Sequence, residues 1–137
     1  MNGFKHKHPD THLVVICDEA GIFDAFQQTK EALSDRTYSW LSLIYAFPGG
    51  NHAILFDQEL RILEKRFLES LQIYRINSTS VNVAIRQDLV EAIINSNILK
   101  ELSFEIFGTP DFSLRIFEML IFLGISPSLI QTNPSNK

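Results

Sequence analysis

The densest group of potential metal ligands lies near the amino terminus, in His6-Lys7-His8-Pro9-Asp10-Thr11-His12. Imidazole and carboxylate together suit zinc or nickel. In a solvated linker the same residues bind metal only adventitiously. A second group follows at Cys17, Asp18, Glu19 and Asp24. A thiol at that point is either a nucleophile or a small packed hydrophobe, and no histidine falls within the sequence reach of its loop. The neighbouring carboxylates have the chemistry of a general base or an acidic metal site; helix capping and solvation account for them more simply. Phe23 and Phe47 stand in turns, where a ring is either a stacking surface for a ligand or part of a partner interface.

Two periodicities set the elements that must position these residues. Leu13-Val14-Val15-Ile16-Cys17 is a continuous apolar run, as expected of a strand covered on both faces. Ile22, Ala25, Phe26, Thr29, Ala32 and Leu33 then recur at helical spacing. Trp40 to Ala46 reads as a second strand, stopped by Pro48-Gly49-Gly50-Asn51. A helix capped by Asp57 follows, with Leu60, Leu63, Phe67 and Leu68 inward, then a strand from Leu71 to Ile76. Asn77 to Val83 is polar and reads as a loop. Leu89, Val90, Ile93 and Ile94 mark a third helix, and Leu102 to Phe107 a fourth strand closed by Gly108-Thr109-Pro110. A last helix from Ser113 to Leu123 turns Ile116, Phe117, Leu120 and Leu123 inward, and Gly124 caps it. Ile130 begins an edge strand. The alternation predicts an α/β, Rossmann-like fold, a five-stranded parallel sheet with helices on both faces; the strand order expected for it is 3-2-1-4-5. Residues 1–12 read as linker-like, 13–132 as the domain and 133–137 as a flexible tail.

The composition fits that reading. The chain has 137 residues, 45% of them hydrophobic and 20% charged, and a formal charge of −4. Such values exclude wholesale disorder and argue against a binder of nucleic-acid backbones. A single cysteine excludes an internal disulfide. No apolar stretch is long enough to span a membrane, and the polar amino terminus is unlike a signal peptide. The expectation is a cytoplasmic protein with neither nucleic-acid nor membrane partners.

Ligands of open parallel sheets bind beyond the carboxyl ends of the strands, where strand order reverses. The residues there carry a resemblance. Phe104-Glu105-Ile106-Phe107-Gly108-Thr109-Pro110, with the later Phe122-Leu123-Gly124-Ile125, resembles the last strand–helix unit of the ferredoxin reductase superfamily's pyridine-nucleotide domain. Leu13-Val14-Val15-Ile16 followed by Gly21-Ile22 resembles that domain's first strand and Gly-Ile helix start. Leu43-Ile44-Tyr45 and Leu55-Phe56-Asp57-Gln58-Glu59-Leu60 resemble its second strand and next helix. The likeness runs from about Leu13 to Thr132, and Asn2-Gly3-Phe4 looks like the exit from the preceding flavin domain, so a fragment or stand-alone half is expected.

The resemblance implies NAD or NADP as cofactor, with Gly21, Ile22, Ser78, Thr79, Gly108, Thr109 and Pro110 as contacts. It also implies hydride transfer to FAD or FMN on a flavin-binding domain upstream or in trans. No residue is assigned as catalytic. The departures from the family pattern point the other way. Asp18 and Glu19 stand where the family has glycines, and Phe107 replaces the cysteine of its Cys-Gly-Pro. Ala46 and Phe47 stand where a basic residue often follows the second strand, leaving Arg75 and Arg86 as the basic residues near the relevant strand ends. Carboxylates at the turn repel a pyrophosphate and satisfy the helix N–H groups themselves. The expectation is therefore a reductase-type scaffold with eroded nucleotide chemistry, or else a non-catalytic interaction or regulatory domain. Two further likenesses are read as coincidence. The histidine cluster is similar to the metallo-β-lactamase signature, but Thr11 interrupts it. Arg36-Thr37-Tyr38-Ser39 is similar to the flavin-contact motif of the reductase barrel, but falls at the wrong end of the sheet.

Overall fold

The computed structural model describes residues 8–36, 38–48, 56–78, 87–96 and 101–134. Among them run β1 (His8–Cys17), α1 (Ile22–Asp35), β2 (Tyr38–Pro48), α2 (Asp57–Arg66), β3 (Leu71–Ser78), α3 (Gln87–Ser96), β4 (Glu101–Gly108), α4 (Pro110–Phe122) and β5 (Ile130–Pro134). The strands form one sheet in the order β3-β2-β1-β4-β5, and every pairing is parallel. The fold class and strand order are those expected from the sequence.

β1 lies at the centre. Leu13 to Cys17 have no exposed surface, and alternate residues feed two cores. Leu13, Val15 and Cys17 pack beneath α1 and α2 with Leu43, Tyr45 and Leu60. Val14 and Ile16 pack beneath α3 and α4 with Ile44, Phe104 and Leu120. The helical stripe of α1 is buried at each position its spacing marks: Ile22, Ala25, Phe26, Thr29, Ala32 and Leu33.

Several boundaries differ from the sequence reading, each for a local reason. β1 starts at His8 rather than Leu13, because parallel pairing of main chains, Thr11 with Glu101 and His8 with Tyr38, does not require apolar side chains. β3 continues through Asn77 and Ser78, which pair with Phe47 and Pro48; the rest of the Asn77–Val83 loop lies outside the described residues. Asp57 is not the cap of α2. Phe56 holds that position with a left-handed backbone, φ 65°, and the Asp57 carboxylate turns instead to Arg61 and Arg75. Leu68 is 73% exposed, since α2 ends at Arg66 and helical periodicity no longer carries the residue inward.

α4 begins at Pro110, ahead of Ser113. Thr109 caps it, accepting from the Phe112 N–H at 3.2 Å, and proline suits the first helical position. Gly124, at φ 95°, ends it: its N–H donates to Ile121 and that of Ile125 to Leu120, both at 3.0 Å, closing the helix in a Schellman turn. β5 extends through Pro134, past the expected start of the tail. No helix among the described residues is long and apolar enough to cross a membrane.

Candidate functional site

Strand order reverses between β1 and β4, so the crevice that could hold a ligand opens where those two strands end. Two helices start there. Gly21 caps α1 and Thr109 caps α4, which directs both helix N-termini, with their partial positive charge, at one spot. Backbone packing is tight. A Cβ on Gly21 would collide with the backbone of Phe107 and Gly108, so this position must be glycine for α1 to approach β4 so closely.

The spot is occupied by Asp18. Its Oδ1 accepts from the Gly21 N–H at 3.0 Å, and its Oδ2 accepts from the Thr109 N–H at 3.2 Å and the Thr109 hydroxyl at 3.4 Å. Its own N–H donates to the Phe107 carbonyl at 3.2 Å. The side chain is 7% exposed. A Cβ on Gly108 would lie 2.6 Å from Asp18 Oδ1, so the carboxylate fills the room that this glycine leaves open. Asp18 is thus a latch between the two turns, and it takes the Gly21 and Thr109 N–H groups that a bound anion could otherwise reach. Glu19 and Asp24 point to solvent and do not converge with it. No group of three or more metal-ligating side chains occurs among the described residues.

Of the contacts expected from the sequence, the structure brings Gly21, Gly108, Thr109 and Pro110 together around Asp18. Ile22 is adjacent, but its side chain is 1% exposed and belongs to the core. Ser78 ends β3, across β2 from this crevice, and Thr79 lies outside the described residues. Cys17 is fully buried; burial first, and then Asp18, pushes its thiol well above the ordinary value, which suits a packed hydrophobe. Phe107 is buried beneath α1, whereas Phe23 is 55% exposed and stacks at 5.9 Å on Phe56. Arg75 is consumed inside the protein. It pairs with Asp57 through Nε and with both carboxylate oxygens of Glu64 at 3.1 and 3.2 Å. Arg86 lies outside the described residues, as does His6.

No family model matches the chain, and no curated protein matches it in sequence. Solved structures do match in fold. The flavohemoglobin of Malassezia yamatoensis, determined with bound FAD and heme, superposes with a TM-score of 0.71 at 14% identity, over 93% of this chain and 32% of that one. The CS-b5R domains of human Ncb5or, in their NAD+ form, give 0.70 at 16% identity, over 95% and 39%. Ferredoxin-NADP+ reductase from Plasmodium falciparum gives 0.62 at 16% identity, over 91% and 52%. The chain has the fold of the ferredoxin-reductase NAD(P)-binding domain. It spans about half or less of the length of these proteins.

The latch was only half visible in the sequence. Asp18 and Gly21 stand at a spacing typical of an aspartate closing on a turn N–H, and that half was readable. The bonds to Thr109 join residues 91 positions apart and needed the strand order. The ion pairs of Arg75 were out of reach for the same reason, since its acidic partners sit on α2.

Proposed function

We propose that this chain is a ferredoxin-reductase-type nucleotide module in which the protein's own carboxylate takes the place of a dinucleotide pyrophosphate. NADH and NADPH then bind weakly or not at all. The observation that carries this reading is the Asp18 latch: one buried carboxylate holds the Gly21 and Thr109 N–H groups and fills the space beside Gly108. A dinucleotide would have to displace a charge that two helix N-termini stabilise, and would meet Glu19 at the rim. Where a nucleotide does enter, its contacts are Gly21, the Ile22 backbone, Gly108, Thr109 and Pro110, with Ser78 at the end of β3 and Thr79, the next residue in sequence. Hydride would pass to FAD or FMN on a flavin domain, upstream or in trans. The same latch favours a second reading, a non-catalytic interaction or regulatory module that keeps the reductase scaffold. Titration calorimetry with NADH and with NADPH tests the proposal. Heats indistinguishable from dilution are expected, and micromolar binding of either nucleotide would overturn it.

A further inference from the structure

The opposite end of the sheet carries a second concavity, on the face covered by α3. A cleft of about 390 Å³ opens there between α3 and the amino-terminal halves of β1, β2 and β3. It lies roughly 20 Å from the latch, since His12 and Asp18 are six residues apart along an extended strand at ~3.3 Å per residue. Its volume is within the usual range for small-molecule sites, roughly 300–1,000 Å³. The floor is polar. His12 and Ser42, each 1% exposed, are joined by a hydrogen bond of 2.9 Å between Nε2 and Oγ. The walls are aromatic and aliphatic: Trp40, set edge-on to the His12 ring, with Tyr74 and Ile93.

The pattern of that sheet face makes the floor informative. Toward the carboxyl end it reads Val14, Ile16, Ile44, Ala46, Phe104 and Ile106, all buried. Toward the amino end it turns to His12, Trp40, Ser42 and Tyr74. A buried hydroxyl and imidazole cost free energy that an aliphatic pair would not. A serine hydroxyl offers one donor and two acceptor sites, more than its bond to His12 uses, and Ser42 lines the cleft. The described lining carries no lysine, arginine, aspartate or glutamate, so among the described residues the site is matched to a ligand without formal charge.

The geometry points to a binding site for an uncharged heteroaromatic molecule of one or two rings. Its faces pack against Trp40 and Tyr74, and its hydrogen-bonding edge meets Ser42. Ser42 is not a nucleophile here. It sits inside a parallel ladder between Val14 and Gln72, so its neighbouring main-chain N–H groups lie in the sheet rather than forming an oxyanion hole. The site stands apart from the nucleotide reading and does not depend on it.

Trp40 is the sole tryptophan, so its indole N–H gives a single signal in amide NMR spectra of the intact chain. Benzimidazole, neutral and carrying a donor and an acceptor on one edge, is the probe; benzoate is the charged control. Saturable movement of the Trp40 signal is expected, with a dissociation constant of about 1 mM or tighter and benzoate at least roughly tenfold weaker. Ser42→Ala should weaken benzimidazole roughly fivefold or more. Ala92→Phe, at an exposed position on the α3 rim, should block the cleft while leaving the core alone, and lower affinity at least about tenfold. The second variant decides the matter if Ser42→Ala fails to fold. An unmoved Trp40 signal, benzoate binding as tightly as benzimidazole, or affinity unchanged in Ala92→Phe would each overturn the assignment.

Discussion

Tyr45 buries its whole side chain beneath α2, and among the described residues no group pairs with its hydroxyl. Burial first, and then the neighbouring Cys17, Glu19, Asp18 and Asp57, pushes the phenol's pKa up, so it stays neutral. A buried hydroxyl without a partner costs about 1–3 kcal/mol. Tyr45→Phe is therefore expected to raise stability by about 1 kcal/mol, read as a higher urea midpoint at unchanged slope. A loss of stability would mean that the hydroxyl has a partner in the native protein. Glu105, on the opposite side of the central strand, has the reverse problem, because half-burial disfavours the charged form of its carboxylate. Burial raises its pKa from the ordinary 4.5. The folded state therefore holds the proton more tightly than the unfolded chain does. Stability from this group is fully present below pH 4.5 and is lost as pH rises through the folded value. Glu105→Gln should be more stable than the parent at neutral pH and indistinguishable from it at the acid end of that window. Denaturant midpoints across the pH range check this, and an equal offset at all pH values would exclude the desolvation account.

At the level of elements, α1 shows how far spacing alone reaches. Its six apolar or small positions were legible because a helix must turn one face to the sheet, and each of them is buried. The Gly124 ending of α4 was legible for a similar reason, since a left-handed residue is required and glycine supplies it. The end of α1 was not, because the left-handed position there is held by Arg36, at φ 54°, whose N–H donates to the Leu33 carbonyl at 3.3 Å. An arginine in that conformation carries a steric cost that glycine lacks. Arg36→Gly should stabilise the fold by about 0.5–1 kcal/mol, net of the greater freedom glycine has when unfolded. Thermal or urea unfolding measures it; a lower midpoint would show that the arginine side chain contributes contacts outweighing the strain. The amino-terminal half of β1 escaped the sequence reading because hydropathy reports side-chain burial, whereas that part of the strand is defined by main-chain pairing with β2 and β4.

Among the described residues the two ends of the sheet differ in kind: at the carboxyl end Asp18 bridges the turns that start α1 and α4, while at the amino end a cleft lies over His12 and Ser42. The parallel sheet was legible because buried apolar runs alternated with amphipathic helices. Both sites depend on residues from distant segments, which periodicity cannot pair. The closed end permits a test of cause. If the carboxylates exclude the nucleotide, the double change Asp18→Gly and Glu19→Gly should improve NADH or NADPH binding, because two negative charges leave the neighbourhood of a pyrophosphate. The expected gain is roughly 1–3 kcal/mol at an effective dielectric near 20 with solvent screening, or about five- to 150-fold in dissociation constant. Stability should move the opposite way. The latch to Gly21 and Thr109 is lost with Asp18, at a cost of about 1–3 kcal/mol and a lower urea midpoint. The affinity gain should shrink at high salt, since it is electrostatic, whereas the loss of stability, which comes from buried hydrogen bonds, should change little. A folded double variant that gains no affinity at low salt would show that charge is not what closes the crevice. The obstruction would then lie in its shape, with Phe107 and Phe23 the side chains to change next.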